Sequence, residues 1–249
     1  MEEKKRVLVI SAHAADYVWR AGGTIANYTR AGHIVKIICL SYGQRGESDS
    51  CWKNIPNVTE EAIAEIRRKE SVAAAKVLGC TIDFYGLQDH YMSIDKNTIM
   101  RLAKDVRLFQ PDIVITHNAY DPFNPDHDTA HNAVLAALRS ANVSGTFPDI
   151  PRTKQVEIFC YEPDQIDVSR FDADVLIDIT DSWEMKKEAM RSISTQASFM
   201  SPMYQTRGEF RGSLASRFLA NVKYAEPFQR ITPFCGKFLS GDFSAAYAK

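Results

Sequence analysis

The alternation of short, continuously apolar runs with longer amphipathic ones constrains this chain more than any other feature. Residues 6–11 (RVLVIS) and 33–40 (HIVKIICL) are β-branched and almost uninterrupted, as strands buried on both faces must be, and further strands are predicted at 81–85 and 112–117. Between them apolar positions recur at helical spacing, which predicts helices over about 19–31, 59–78, 95–109 and 127–140. Gly32 closes the first of these. Thr59 supplies an N-cap and Gly79 a stop for the second, whose Glu61, Glu65, Arg68 and Lys69 mark a solvated face. Helix-length connections join parallel strands, whereas a hairpin needs only a few residues. The expectation is an α/β fold: βαβ units with right-handed crossovers and a mostly parallel sheet with helices on both faces.

After Gly145 the rhythm loosens. Strands are predicted at 156–161 and 174–179 and a helix at 181–197, while periodicity from about residue 198 is weak and reads as an irregular C-terminal layer. No repeat and no low-complexity linker divides the chain, so residues 1–249 are read as a single domain. Thirty Lys and Arg against thirty-one Asp and Glu argue against a dedicated nucleic-acid or anionic-membrane surface, leaving room only for a local basic pocket. No apolar stretch approaches the roughly 20 residues that span a bilayer, and MEEKKR opens no signal-peptide core, so a cytoplasmic protein is expected. The five cysteines (Cys39, Cys51, Cys80, Cys160, Cys235) form no CxxC pair and read as reduced, mostly packed thiols, with Cys51 in a polar loop.

Chemically capable side chains collect just past the predicted strands: His13 and Asp16 after the first, Arg45 and Glu47 after the second, His117, Asp121, Asn124, Asp126 and His127 after the fourth, Glu162 and Asp164 after the next. In open α/β sheets the ligand crevice lies at these carboxyl ends, where the strand order reverses, commonly between the first and fourth strands. Those two loops carry HxxD (His13, Asp16) and PDHxxxH (Asp126, His127, His131). Two imidazoles and a carboxylate with an open position suit catalytic zinc. Singly, each half is more readily a helix-capping Asp or a packed His than a ligand; their joint placement at a predicted switch point favours a metal. His127, at a helix start, is the better ligand, and His131 is assigned to packing or support. His33 and His90 are read as surface or structural residues. No GxGxxG, P-loop or GxSxG sequence occurs, so dinucleotide, P-loop and α/β-hydrolase chemistry lack their devices.

The residues at this point resemble a known family. A first-strand loop of AHPDD type (here Ala12-His13-Ala14-Ala15-Asp16), PDHxxxH, the stretch DITDSWEMKKEAM and a late YAE-F segment (Tyr224, Ala225, Glu226, Phe228) are similar to the PIG-L/LmbE-like superfamily of zinc-dependent de-N-acetylases, from about Val7 to Arg230. The resemblance implies a Rossmann-like fold and Zn2+ bound by His13, Asp16 and His127. It also implies a general base at the position of Ala15, whose methyl cannot accept a proton. The strings SAHAADYVWRAGGTIA, CLSYGQRGES and EPDQ resemble the superfamily's 4-oxalomesaconate hydratase branch, which hydrates a tricarboxylate in bacterial gallate and protocatechuate 4,5-cleavage.

Such a hydration needs a cation for the developing enolate, a proton-moving group and donors for the carboxylates. Zinc answers the first. Glu47, Asp126 and Asp164 are the acid-base candidates, with Asp126 also suited to orienting an imidazole. Arg45 and Arg20 are candidate carboxylate clamps, since a guanidinium fork binds carboxylate through parallel bonds; Arg207 and Arg211 could cap the crevice. The expected partner is a small-molecule tricarboxylate, without nucleic acid or membrane; a homo-oligomer is compatible with the sequence. The competing readings are a zinc amide hydrolase with its base relocated and a non-catalytic metal or ligand binder.

Overall fold

The computed structural model describes residues 4–234. Seven strands form one sheet in the order β3-β2-β1-β4-β5-β7-β6. The strands are β1 (Arg6–Ser11), β2 (Ile34–Ser41), β3 (Thr81–Leu87), β4 (Ile113–Thr116), β5 (Glu157–Tyr161), β6 (Val175–Asp178) and β7 (Ala225–Arg230). The first five are parallel, and β7 runs antiparallel to both of its neighbours. The order reverses between β1 and β4, which places the loops after those strands side by side.

Each central strand is apolar throughout because it feeds two cores. Val7 and Val9 of β1 join one cluster, Leu8 and Ile10 the other, and Ile37 and Ile38 of β2 divide in the same way. The first core is covered by α1 (Asp16–Arg30), α3 (Glu60–Leu78), α6 (Trp183–Arg191) and α7 (Ser194–Ala215); the second by α4 (Lys96–Phe109) and α5 (Pro125–Ala141). At about 1.5–3 kcal/mol for each fully buried aliphatic side chain, these strands contribute to the core from both of their faces. The helices start where local chemistry directs. Thr59 accepts a hydrogen bond from the Ala62 N–H at 3.2 Å, Asp95 accepts one from Thr98 N–H at 2.8 Å, and Pro125 opens α5. Gly79 ends α3 in the left-handed conformation at φ 70°.

Three expectations are corrected. The segment beyond residue 198 is not irregular: it contains most of the 22-residue α7 and the strand β7, which inserts between β5 and β6. The helix expected at 181–197 is two helices, α6 and α7, meeting at Ser192 and Ile193. The polar loop around Cys51 holds a short helix, α2 (Asp49–Asn54), and Cys51 is buried there. Cys39 and Cys160 are buried and Cys80 partly so, all as free thiols; Cys235 lies outside the described residues.

Candidate metal centre

The loop after β1 leads directly into α1, and Asp16 opens that helix while its Oδ2 accepts the His13 backbone N–H at 2.7 Å. The loop after β4 leads into α5, whose first turn carries Asp126 and His127. Because β1 and β4 are adjacent, the two loops bring His13, Asp16 and His127 together: one candidate ligand atom from each lies within 4.8 Å of the others, and all three side chains are buried.

The nitrogens of these histidines have opposite fates. His13 Nε2 hydrogen-bonds Asp126 Oδ2 at 3.2 Å, and His127 Nδ1 hydrogen-bonds Asp121 Oδ2 at 2.8 Å. These carboxylates hold a proton on the outer nitrogen, leaving the other lone pair directed inward. The inner atoms, His13 Nδ1 and His127 Nε2, are buried without a hydrogen-bond partner. An orphaned buried nitrogen is costly in a finished core and is what a metal ligand presents before the ion arrives. The residues therefore fit a divalent cation. The surrounding charge agrees: burial alone would lower the His13 pKa, yet Asp16, Glu47 and Asp126 hold it well above the usual imidazole value. Burial would raise Asp126, but the hydrogen bond from His13 and the Met92 and His90 N–H groups bring it down to about 2.

Two further histidines stand nearby. His117 Nε2 accepts the Ala12 N–H at 2.8 Å, which occupies its lone pair, while its ring stacks on His127 at 4.0 Å. Burial, then the neighbouring His127, keep the His117 pKa well below the usual value. His131 Nδ1 donates to the His117 carbonyl at 2.9 Å, a packing role.

The centre opens into a cleft of about 210 Å³ whose lining includes His13, Glu47, His90, Tyr91, Asn124 and Asp126. A larger groove of about 540 Å³, beside Leu138 and Thr153, is lined by no histidine or acid and has no evident chemistry. Glu47 Oε1 lies 3.8 Å from His13 Nδ1. Its carboxylate is held at both oxygens, accepting from Asn124 Nδ2 at 3.1 Å and from Gln196 Nε2 at 2.9 Å, and Gln196 Oε1 in turn accepts the Trp19 indole N–H at 3.2 Å.

The arginines stand apart from that cleft. Arg45 is half-exposed and pairs with Glu60, its Nε donating to Oε2 at 2.8 Å. Arg20 is buried rather than solvent-facing; it donates to the Glu162 carbonyl at 2.7 Å and to Asp164 Oδ2 at 2.9 Å, with Nε 3.7 Å from Asp16 Oδ1. Asp164 also accepts from Tyr204 Oη at 2.9 Å; burial opposes its charge, but Arg20, His127 and Tyr204 hold its pKa below the ordinary value. Arg207 donates to the Pro163 and Asp164 carbonyls, and Arg211 pairs with Glu162. Neither Arg45, Arg20 nor Asp164 lines the cleft. Sequence reasoning missed Asp121 and Gln196 in their supporting places and set His90 aside. Asp121 was signalled by its position six residues before His127; nothing local marks Gln196, which lies 149 residues from Glu47.

Comparison with known proteins adds a separate line of evidence. The family model of GlcNAc-PI de-N-acetylases (PIG-L) matches residues 8–138. The chain is 36% identical over 236 residues to a 4-oxalmesaconate hydratase of Pseudomonas putida, covering 92% of this chain and 90% of that protein. Among solved structures it is similar to GalB, the 4-carboxy-2-hydroxymuconate hydratase from Pseudomonas putida, with a TM-score of 0.91, 35% identity, and coverage of 95% of this chain and 100% of that one. The fold is shared with an N,N'-diacetylchitobiose deacetylase from Pyrococcus horikoshii at a TM-score of 0.77 and 24% identity, covering 93% of this chain and 88% of that one.

Proposed function

The chain belongs to the PIG-L family, and within it we propose a hydro-lyase: a zinc-dependent hydratase that adds water across the C=C of 4-oxalomesaconate to form 4-carboxy-4-hydroxy-2-oxoadipate. The observation that carries this reading is the carboxylate of Glu47, presented to the cleft from the loop after β2 beside a three-residue ligand set, while the buried Ala15 stands where the family resemblance places the hydrolytic base. The likeness to the two hydratases supports it over the whole chain.

His13 Nδ1, Asp16 and His127 Nε2 would hold the ion. Bound there, zinc would supply Lewis-acid stabilisation for the negative charge that develops on the oxygens conjugated to the alkene. Glu47 is the proton-moving group. Its carboxylate takes a proton from water as the water oxygen bonds to the substituted alkene carbon, the π electrons pass into the conjugated enolate, and the same proton is delivered to the adjacent carbon. Asn124 and Gln196 fix the carboxylate for both transfers. Asp126 and Asp121 orient the imidazoles, and Arg20, through Asp16 and Asp164, braces the ligand set from behind. The partner is a small-molecule polyanion. Among the described residues no helix is long and apolar enough to cross a membrane.

The test follows the ultraviolet absorbance of the conjugated substrate with and without chelator, alongside acetate release from N-acetyl sugars. Chelator-sensitive loss of the chromophore is expected. Acetate release without loss of the chromophore would replace this reading by amide hydrolysis, and neither activity with zinc retained would leave a metal binder.

A further inference from the structure

A tricarboxylate needs cationic or N–H donors in the cleft, and neither candidate arginine provides one: Arg45 is committed to Glu60 and Arg20 to Asp164 and the Glu162 carbonyl. Among the side-chain N–H donors lining the cleft, His13 is taken up by the metal centre and the Asn124 amide donates to Glu47, which leaves His90 as the one without a protein partner among the described residues. Its imidazole is exposed, makes no hydrogen bond or ion pair among the described residues, and rests against the Tyr91 ring with centroids 4.8 Å apart. It stands over the neighbouring loop: a Cβ built on Gly46 would lie 3.7 Å from His90 Nδ1.

The backbone beneath it is held in an uncommon shape. His90 and the following Tyr91 both adopt positive φ, 61° and 71°. Successive non-glycine residues in this region are strained and persist where their surroundings over-determine them, often at ligand clamps. Here the constraint is Asp126, whose Oδ2 accepts the His90 N–H and whose Oδ1 accepts the Met92 N–H, both at 2.7 Å. Asp89 clasps the same segment to the loop after β2, accepting the Arg45 N–H at 3.0 Å and the Gly46 N–H at 2.6 Å. One carboxylate thus orients both a metal-centre imidazole and the backbone that carries His90.

We infer that His90 is a substrate-binding residue, its imidazole N–H donating to a substrate carboxylate at the outer end of the cleft while the opposite end of the molecule meets the metal centre. This rests on the proposed tricarboxylate hydratase activity and deepens it by assigning the group that recognises the distal carboxylate.

The test uses the zinc-loaded full chain and two unreactive probes, propane-1,2,3-tricarboxylate and glutarate, titrated calorimetrically. Wild type is expected to favour the tricarboxylate, and His90→Ala to lose roughly tenfold of that affinity, the size of one hydrogen bond to a charged group, while binding glutarate as before. His90→Gln, which retains a donor, should keep most of the preference, and His90→Glu should abolish it. Zinc content and melting temperature, measured on each variant, identify any that lost the centre; His90→Gln and His90→Glu then make the comparison if His90→Ala is one of them. Unchanged tricarboxylate preference in His90→Ala or His90→Glu overturns the assignment, as does a wild type that does not distinguish the probes. Hydration by the same proteins is scored separately. A wild type that binds the tricarboxylate with His90 dependence but never hydrates sinks the hydratase reading alone, and normal hydration with an unaltered KM in His90→Ala sinks the His90 assignment alone.

Discussion

At the scale of single residues, the centre is organised by what each polar atom does with its second valence. His13 and His127 each give one nitrogen to a carboxylate and keep one unpartnered. Carboxylates in that position raise ligand basicity and fix the tautomer, and their loss commonly weakens metal binding by about 10–100-fold. His13→Ala and His127→Ala should therefore lose zinc outright on dialysis, whereas Asp121→Asn should retain it with affinity lower by about that 10–100-fold factor, measured by competition with a chromophoric chelator. Zinc content unchanged in either histidine variant would overturn the ligand set. At position 15 the chain has alanine, 2% exposed. Ala15→Asp places a carboxylate beside the centre and is expected to give no gain in hydration rate, since the proposed proton-moving group is Glu47. A large gain would show that the alanine is a lesion rather than a feature of the chemistry. The cluster of His13, Asp16 and His127 was legible in the sequence because two short motifs flank predicted strands. The amide that steadies Glu47 was not, because Gln196 reaches it only through the packing of α7 against α2 and α1.

At the scale of elements, α7 explains why its own periodicity is weak. Its buried positions include Gly208, Gly212 and Ala215, which allow close approach where a typical amphipathic helix would present Leu or Ile. Gly208 faces the Trp183 and Tyr224 rings, which stack at 4.1 Å, and Gly212 lies against the backbone leading into β7. A methyl at position 212 would collide with the Lys223 carbonyl, which cannot swing aside as a side chain can. Gly212→Ala should destabilise the protein by about 1–3 kcal/mol despite its better helix propensity, read as a lowered urea midpoint with unchanged slope. A neutral or stabilising effect would mean that α7 and β7 pack more loosely than described. The strand β7 hides from pattern reading for a related reason. Its Glu226 and Pro227 break the apolar run, yet Glu226 is buried, accepting the Gly23 and Thr24 N–H groups of α1 at 2.8 and 2.7 Å and pairing with Lys186 at 2.6 Å. Only the tertiary partners make a carboxylate tolerable there.

At the scale of the whole molecule, the parallel half was legible because each βαβ unit is local in sequence and the reversal between β1 and β4 follows from connection rules. The antiparallel insertion of β7 joins segments whose pairing no local pattern specifies. A formal charge of −1 conceals a strong local imbalance: Asp16, Glu47, Asp121 and Asp126 converge on one centre. Imidazole and backbone N–H groups donate to these carboxylates, and a divalent cation would offset the concentrated charge more directly. Because the candidate ligands come from the loops after β1 and β4, an ion bound there would tie together two segments that in the chain are more than a hundred residues apart, as the His13 to Asp126 hydrogen bond already does. Binding to the folded state alone at 100 times the dissociation constant contributes about 2.7 kcal/mol. For a chain of this size each kcal/mol moves the melting temperature by about 2–4 °C, so zinc should raise it by roughly 5–10 °C over the chelated protein. Magnesium at the same concentration should do little, since two imidazoles suit zinc and not a hard oxygen-seeking ion. Asp16→Asn should shrink the zinc increment, measured against its own chelated form. An equal increment in Asp16→Asn, or none in wild type, would place the ion elsewhere.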